Sequence, residues 1–398
     1  MAKNGFFYGI VIAGIFAAGI FLRLNFLNIP DYRGGTDEGY YLRYAACLAQ
    51  AQDASIKKLS DAYIRNKEWQ LFPNPLRAGY ILISAWWMKL LGRFDFKALS
   101  YLSSLFGILS LFACYFFTRR LFGPRIALLG LILLAASPIN LALSRRALQD
   151  SAVYFFTIMA VWLFYESLER RGLLFKILFA LSFFAAIAVK ESSVLVLVFF
   201  VVFIFLDKRL FDGQLKSLQS LFILFLVLAA VFFMYIKITG SADKLFQIAR
   251  IIILSPASNE YAIKYQSGNF FTYMGSFLLL SPITLVLGLS FSALYFKNRD
   301  FSEKPYLYII TFFALYYAAF SLFSKNVRYV MALDLPIRIL AAALIAAACG
   351  KFGKMGWTAA LLIAFAIAAG DFFIFHHIFI TDGIYDPVIC NLAWAWSN

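Results

Sequence analysis

Eleven apolar runs, parted by short charged connections, constrain this chain more than any other feature it has. They lie near 5–27, 97–118, 124–142, 150–167, 173–189, 192–206, 217–236, 272–296, 306–323, 329–349 and 356–375. A helix that crosses a bilayer needs about 20 mostly apolar residues, and lipid requires its backbone groups to be satisfied within the segment. The 398 residues are 63% hydrophobic and 14% charged, whereas a soluble domain is about half apolar and about a quarter charged. The chain is therefore read as an all-α integral membrane protein with about eleven crossings. It forms a single membrane domain over 1–398, with no internal repeat, no low-complexity tract and no separate soluble domain.

Sidedness follows from a twelfth, shorter run. Residues 79–92 include Trp86, Trp87 and Lys89 and are too few to span, so they predict an interfacial or re-entrant helix. With the N-terminus inside, the inner connections hold Arg119, Arg120 and Arg125; Arg170, Arg171 and Lys176; Lys208, Arg209 and Lys216; Lys297, Arg299 and Lys304; and Lys351 with Lys354. At least two cations in every inner connection is the bias of short cytoplasmic loops. The first outer loop 28–96, with its interfacial helices, the second loop 238–271 and the tail 376–398 then fall outside. Lys3 and a long apolar run without a small-residue cleavage site read as a retained first span. A small chain without organelle signals is expected in a plasma (inner) membrane, multi-pass, with a cytoplasmic N-terminus and a periplasmic outer face.

The net charge of +15 suggests nucleic acid, but the cations come as pairs between apolar runs, so no nucleic-acid partner is expected. Cys47, Cys114, Cys349 and Cys390 contain no C-x-x-C pair, and His376 and His377 are adjacent. Neither a zinc framework nor a Cys/His nucleophile can be assembled from them. Cys47 and Cys390 both face the oxidising side and could pair, although nothing fixes their separation. His376 and His377 end the last span and read as interfacial. The Trp and Tyr residues near run ends read as an aromatic belt.

Three outer turns carry cations against the inside-positive trend: Ser144-Arg145-Arg146 through Asp150, Lys190-Glu191, and Lys325-Asn326-Val327-Arg328-Tyr329. A charge at membrane depth costs about 2.5–3.5 kcal/mol on insertion scales. Such cations either meet anionic partners or snorkel into headgroups. The first outer loop supplies carboxylates in Asp31-Tyr32-Arg33-Gly34-Gly35-Thr36-Asp37-Glu38-Gly39-Tyr40-Tyr41. Two glycines allow a tight turn, Thr36 can cap a helix, and Asp37 and Glu38 occupy its first turn, where the dipole favours negative charge. The pair is also simply what a helix start prefers. Tyr40, Tyr41 and Tyr44 continue the helix.

A first span, then Gly-Gly-Thr-Asp-Glu-x-Tyr-Tyr, then the proline-rich Phe72-Pro73-Asn74-Pro75-Leu76-Arg77, then Ser-Arg-Arg-x-x-x-Gln-Asp, and finally Arg328-Tyr329 before a span resembles the GT-C glycosyltransferases. Within them the order is most similar to protein O-mannosyltransferases and lipid A aminoarabinose transferases, over roughly residues 1–350. The resemblance implies the GT-C fold, inverting transfer from a polyprenyl-phosphate sugar, and a catalytic acid in the first outer loop. The chain departs from larger members in lacking a soluble C-terminal domain, which leaves the acceptor open between protein and glycolipid.

An acceptor hydroxyl must lose a proton as it attacks the anomeric carbon, and Asp37 matches the family's acid, with Glu38 second. The departing lipid phosphate calls for cations. The candidates are Arg77, Lys190, Lys325 and Arg328, with Tyr329 beside them; arginine suits bidentate phosphate contact. Lys190 has Glu191 next to it, so an ion pair is an equal reading there. Asp150 matches a second acidic position, grouped with Arg145 and Arg146. It could contact the acceptor, orient Arg146, or with Asp37 supply two oxygens to Mg²⁺ or Mn²⁺; no dense acidic cluster makes that cation obligatory.

Two rivals stand beside this reading. A flippase or transporter of an anionic lipid would want ionisable or Gly/Pro-broken spans at midplane, and the spans read as mostly free of both. A lipid-linked polymer ligase would carry an extended arginine-rich outer loop, which Lys244, Arg250 and Lys264 in 238–271 only faintly resemble.

Overall fold

The computed structural model describes residues 2–25, 36–51, 54–170, 172–211, 214–298 and 303–383. The expected turn at Asp31–Gly35 and the Cys390 half of the possible disulfide lie outside them. The helices are α1 (Ala2–Asn25), α2 (Asp37–Gln50), α3 (Ile56–Arg65), α4 (Ala78–Leu91), α5 (Phe96–Ala135), α6 (Pro138–Ser144), α7 (Asp150–Glu169), α8 (Leu173–Val189) and α9 (Val196–Phe211). They continue with α10 (Gln214–Thr239), α11 (Ala242–Ser258), α12 (Glu260–Tyr265), α13 (Thr272–Leu280), α14 (Pro282–Asn298), α15 (Lys304–Phe320), α16 (Asp334–Gly350) and α17 (Gly356–Phe375). No strand occurs among the described residues. The protein is an all-helical integral membrane protein.

Among the described residues six stretches are long and apolar enough to cross a bilayer: Tyr8–Asn25, Phe96–Ala135, Asp150–Glu169, Leu218–Thr239, Val327–Gly350 and Gly356–Thr381. They take in seven of the expected runs, because α5 serves two. Gly123 bends α5 at φ 82, a left-handed backbone that glycine adopts without penalty, and Pro124 cannot donate to the turn before it. The other four runs fold as helices of 9 to 17 residues. The 272–296 run breaks at Ser281, ahead of Pro282.

The chain divides into two compact units. The first holds Met1–Phe26, Gly107–Ser144 and Gly268–Asn398, the second Leu27–Phe106 and Arg145–Ser267. In the second unit, tyrosines of the first outer loop form core. Tyr41, Tyr44, Tyr63 and Tyr80 are buried, Tyr40 stacks on Phe72 with ring centroids 4.1 Å apart, and the Tyr44 hydroxyl donates to the Pro73 carbonyl at 3.2 Å. These contacts fasten the 72–77 segment to α2. Next, α4 rests on α8: a Cβ at Gly79 would lie 2.8 Å from the Ala188 carbonyl carbon. The opposite stripe of α4, Leu82, Trp86 and Leu90, is exposed, as expected of a helix lying against lipid.

The first unit corrects the reading of spans nearly free of ionisable groups. Arg338 in α16 is wholly buried between two aspartates. Its Nε donates to Asp334 at 2.9 Å, its Nη1 to Asp371 at 2.7 Å and to the Leu133 carbonyl at 2.7 Å, and its Nη2 to Ser281 Oγ at 2.9 Å. Asn140 and Ser137 donate to Asp334 Oδ2, and Ser281 to Asp371. This many donors is what a buried charge needs to repay its lost hydration. The arrangement is a closed clasp joining α16, α17 and the α13–α14 break, not a charged pathway.

Candidate active site

Thr36 starts the site. With φ −113 and ψ 165 it stands just outside α2, and its hydroxyl accepts from the Gly39 N–H at 3.4 Å. Asp37 and Glu38 therefore enter the first turn pointing different ways. Glu38 is buried and held by three donors: Arg146 Nε at 2.8 Å, Arg146 Nη2 at 2.7 Å and the Ala147 N–H at 2.9 Å. Asp37 is only partly buried, and its charge reaches the Tyr41 phenol one turn on. The structure thus separates two acids that the sequence left adjacent. Glu38 is bound by Arg146, while Asp37 is only partly buried.

Two more ion pairs continue the wall. Asp150, at the first position of α7, accepts from Lys190 at 3.1 Å, both side chains being buried. Arg77 grips Glu191 through Nε at 3.0 Å and Nη2 at 3.1 Å, and its Nη1 donates to the Tyr41 hydroxyl at 2.8 Å. Asn74 adds a bond to Glu191 at 2.9 Å. Lys190 ends α8 in extended conformation and Glu191 opens the short 3-10 turn after it, so neighbouring residues of opposite charge face different partners. Lys190 does make an ion pair, but with Asp150 and not with Glu191. Arg146 is oriented by Glu38. Arg145 is buried beside them.

Burial works against ionisation of Glu191, yet the Arg77 guanidinium outweighs it and holds the carboxyl below the usual glutamate range. Burial likewise pushes the Tyr41 phenol well above its ordinary value, with Arg77 opposing only in part. Tyr41 meets Tyr80 edge to face at 5.0 Å, giving the wall a rigid aromatic floor.

The remaining candidates belong to the first unit. Lys325 is buried, its ammonium donating to the Ser321 and Phe323 carbonyls at 2.6 Å each, beyond the end of α15. A cation there complements the negative helix terminus, and burial lowers its pKa. Asn326 caps the following 3-10 turn by accepting from the Arg328 N–H at 3.0 Å and the Arg328 Nε at 3.4 Å. Arg328 and Tyr329 are partly exposed, and the Tyr329 carbonyl accepts from Tyr316 at 3.0 Å.

A divalent cation fits these residues poorly. Among the described residues no three His, Cys, Asp or Glu gather, and Asp150, one of the two suggested ligands, already neutralises Lys190. Sequence reasoning missed Tyr41, Asn74 and Glu191 as members of the wall. The signal for Glu191 was present, an acid beside a cation in an outer turn, but its partner lies 114 residues away.

Residues 75–234 match the family model of dolichyl-phosphate-mannose-protein mannosyltransferase. Compared with curated protein sequences, the chain matches none. Among solved structures it is similar to the archaeal oligosaccharyltransferase AglB from Archaeoglobus fulgidus, in complex with an inhibitory peptide and a dolichol-phosphate. That match has a TM-score of 0.63 and 13% identity, over 94% of this chain and 56% of that one. It is also similar to ArnT from Cupriavidus metallidurans, in the apo state (TM-score 0.53, 15% identity, 88% and 62% covered) and bound to undecaprenyl phosphate (0.52, 15%, 86% and 61%). The chain spans little more than half the length of these proteins. With the order of its motifs, the family match and these likenesses together, the protein has the fold of the GT-C superfamily of membrane glycosyltransferases.

Proposed function

We propose that this protein is an inverting glycosyltransferase. It takes a sugar from a polyprenyl-phosphate donor to a hydroxyl of a protein or glycolipid acceptor, on the periplasmic face of a plasma membrane. The observation that carries the reading is the division of labour at the start of α2. Arg146 closes Glu38, and Asp37 beside it is only partly buried. Asp37 accepts the acceptor's proton while the hydroxyl oxygen bonds to the anomeric carbon. The bond from that carbon to the phosphate oxygen breaks, and the lipid phosphate leaves with the electron pair. Lys325, Arg328 and Tyr329 are assigned to the donor phosphate. Arg77 and Lys190, each already paired with a carboxylate, hold the wall in shape. No step passes through a metal ion.

Support for the lipid donor comes from two similar structures, which contain a dolichol-phosphate and undecaprenyl phosphate. Support for the outer face comes from the cation pairs in the inner connections. The test is a purified protein given a radiolabelled polyprenyl-phosphate sugar and candidate acceptors. Release of free lipid phosphate marks transfer; movement of the lipid without chemistry marks a transporter. Asp37→Asn should lower turnover by about 10²–10⁴-fold, the share of a general base, with folding and lipid binding unchanged. Undiminished turnover removes Asp37 from the role.

A further inference from the structure

A cavity of about 540 Å³ opens in the second unit between the end of α2, the start of α3, α4 and the last turn of α10. Its wall is apolar, formed in part by Leu82, Trp86 and Ile238, and three lysines, Lys57, Lys89 and Lys237, border it. All three are exposed. Among the described residues no hydrogen bond or ion pair engages the ammonium of Lys89 or Lys237. Lys57 feels the Asp61 carboxylate, which is itself bonded to Lys244. The Lys57 stem is seated over Gly240: a Cβ there would come within 2.7 Å of Lys57 Cε, and φ +90 disfavours any other residue. Three like charges around one cavity repel one another, and among the described residues no carboxylate lines it to offset them. Such a surplus is balanced by an anion from outside the chain.

Depth identifies the kind of anion. Leu218–Thr239 is one of the six stretches able to cross a bilayer, and Lys237 lies in its last turn. The cavity therefore sits at the level of lipid headgroups, whichever face of the membrane that is. Leu82, Trp86 and Leu90 are 51%, 62% and 61% exposed and continue the apolar wall outward along α4. An apolar slot topped by three cations suits an amphiphile with one phosphate. The volume is within the ordinary range of ligand sites, about 300–1,000 Å³. Asp37 stands at the opposite end of α2, roughly 16 Å from Leu48 at 1.5 Å per residue.

We infer that this cavity binds an anionic phospholipid of the surrounding bilayer, phosphate on Lys57, Lys89 and Lys237 and acyl chain along the Leu82–Trp86 stripe. The inference is independent of the transferase reading. Its test uses the whole protein in nanodiscs containing phosphatidylglycerol and phosphatidylcholine, followed by native mass spectrometry of the lipid retained. Wild type should retain phosphatidylglycerol preferentially. Each Lys→Gln replacement should weaken that preference by roughly fivefold, about the worth of one cation at an anionic surface. Lys57→Arg/Lys89→Arg/Lys237→Arg, which keeps the charge, should retain the lipid, and so serves as a control for folding. Retention of both lipids alike, or undiminished retention by Lys57→Gln/Lys89→Gln/Lys237→Gln, would overturn the assignment. Displacement by equimolar undecaprenyl phosphate would overturn it too, by making the cavity a donor site.

Discussion

In the first unit Arg338 has no exposure at all, with two aspartates, a serine and a carbonyl around it. In the second, the side chains of Arg77 and Arg146 keep 15% and 10% of theirs while pairing with Glu191 and Glu38. Both arrangements bring guanidinium and carboxylate together with bonds near 3 Å, so geometry alone does not distinguish them. Enclosure does. A sealed clasp has no state other than broken or whole, whereas a pair with an open edge can exchange part of its partner for water or for a ligand. The first is a fastening of the spans. The second holds the wall in shape while leaving part of each guanidinium exposed.

Three experiments would break or sharpen that contrast. Arg338→Met leaves Asp334 and Asp371 buried without their cation and should cost about 3–5 kcal/mol, read as a large fall in melting temperature in detergent. Replacing Asp334 and Asp371 by leucine in the same chain should recover much of it. Glu38→Ala should cost less, about 2–3 kcal/mol, because the stranded Arg146 can turn toward water. A loss equal to that of Arg338→Met would show the second unit to be as sealed as the first. The smallest effect is on pH dependence. Glu191 lies below its ordinary value of 4.5 in the folded protein. Its stabilisation is therefore complete above that pH and fades as acidification passes through the depressed value. Melting temperatures followed from pH about 6 to about 3 should fall more steeply for wild type than for Glu191→Gln; parallel curves would mean that Arg77 does not hold the carboxyl.

Much of the fold was legible because its causes are local. Hydropathy placed every apolar run on a helix, and Thr36 announced the start of α2. The site was legible only in part. Asp37 and Glu38 could be ranked only by the resemblance, because Arg146, which binds Glu38, lies 108 residues away. The same distance problem hid the Arg77–Glu191 pair. The clasp had a signal that went unused: Asp334 and Arg338 are four residues apart in one apolar run, and Asp371 interrupts another. Ionisable residues inside lipid-length helices demand partners from each other, and reading the two runs together would have matched them.

The Lys190–Glu191 peptide holds one further lesson. Its two side chains reach to α7 on one hand and to the segment before α4 on the other, so a single peptide unit braces both. Two segments distant in sequence, α7 and the chain before α4, thus meet on one peptide unit.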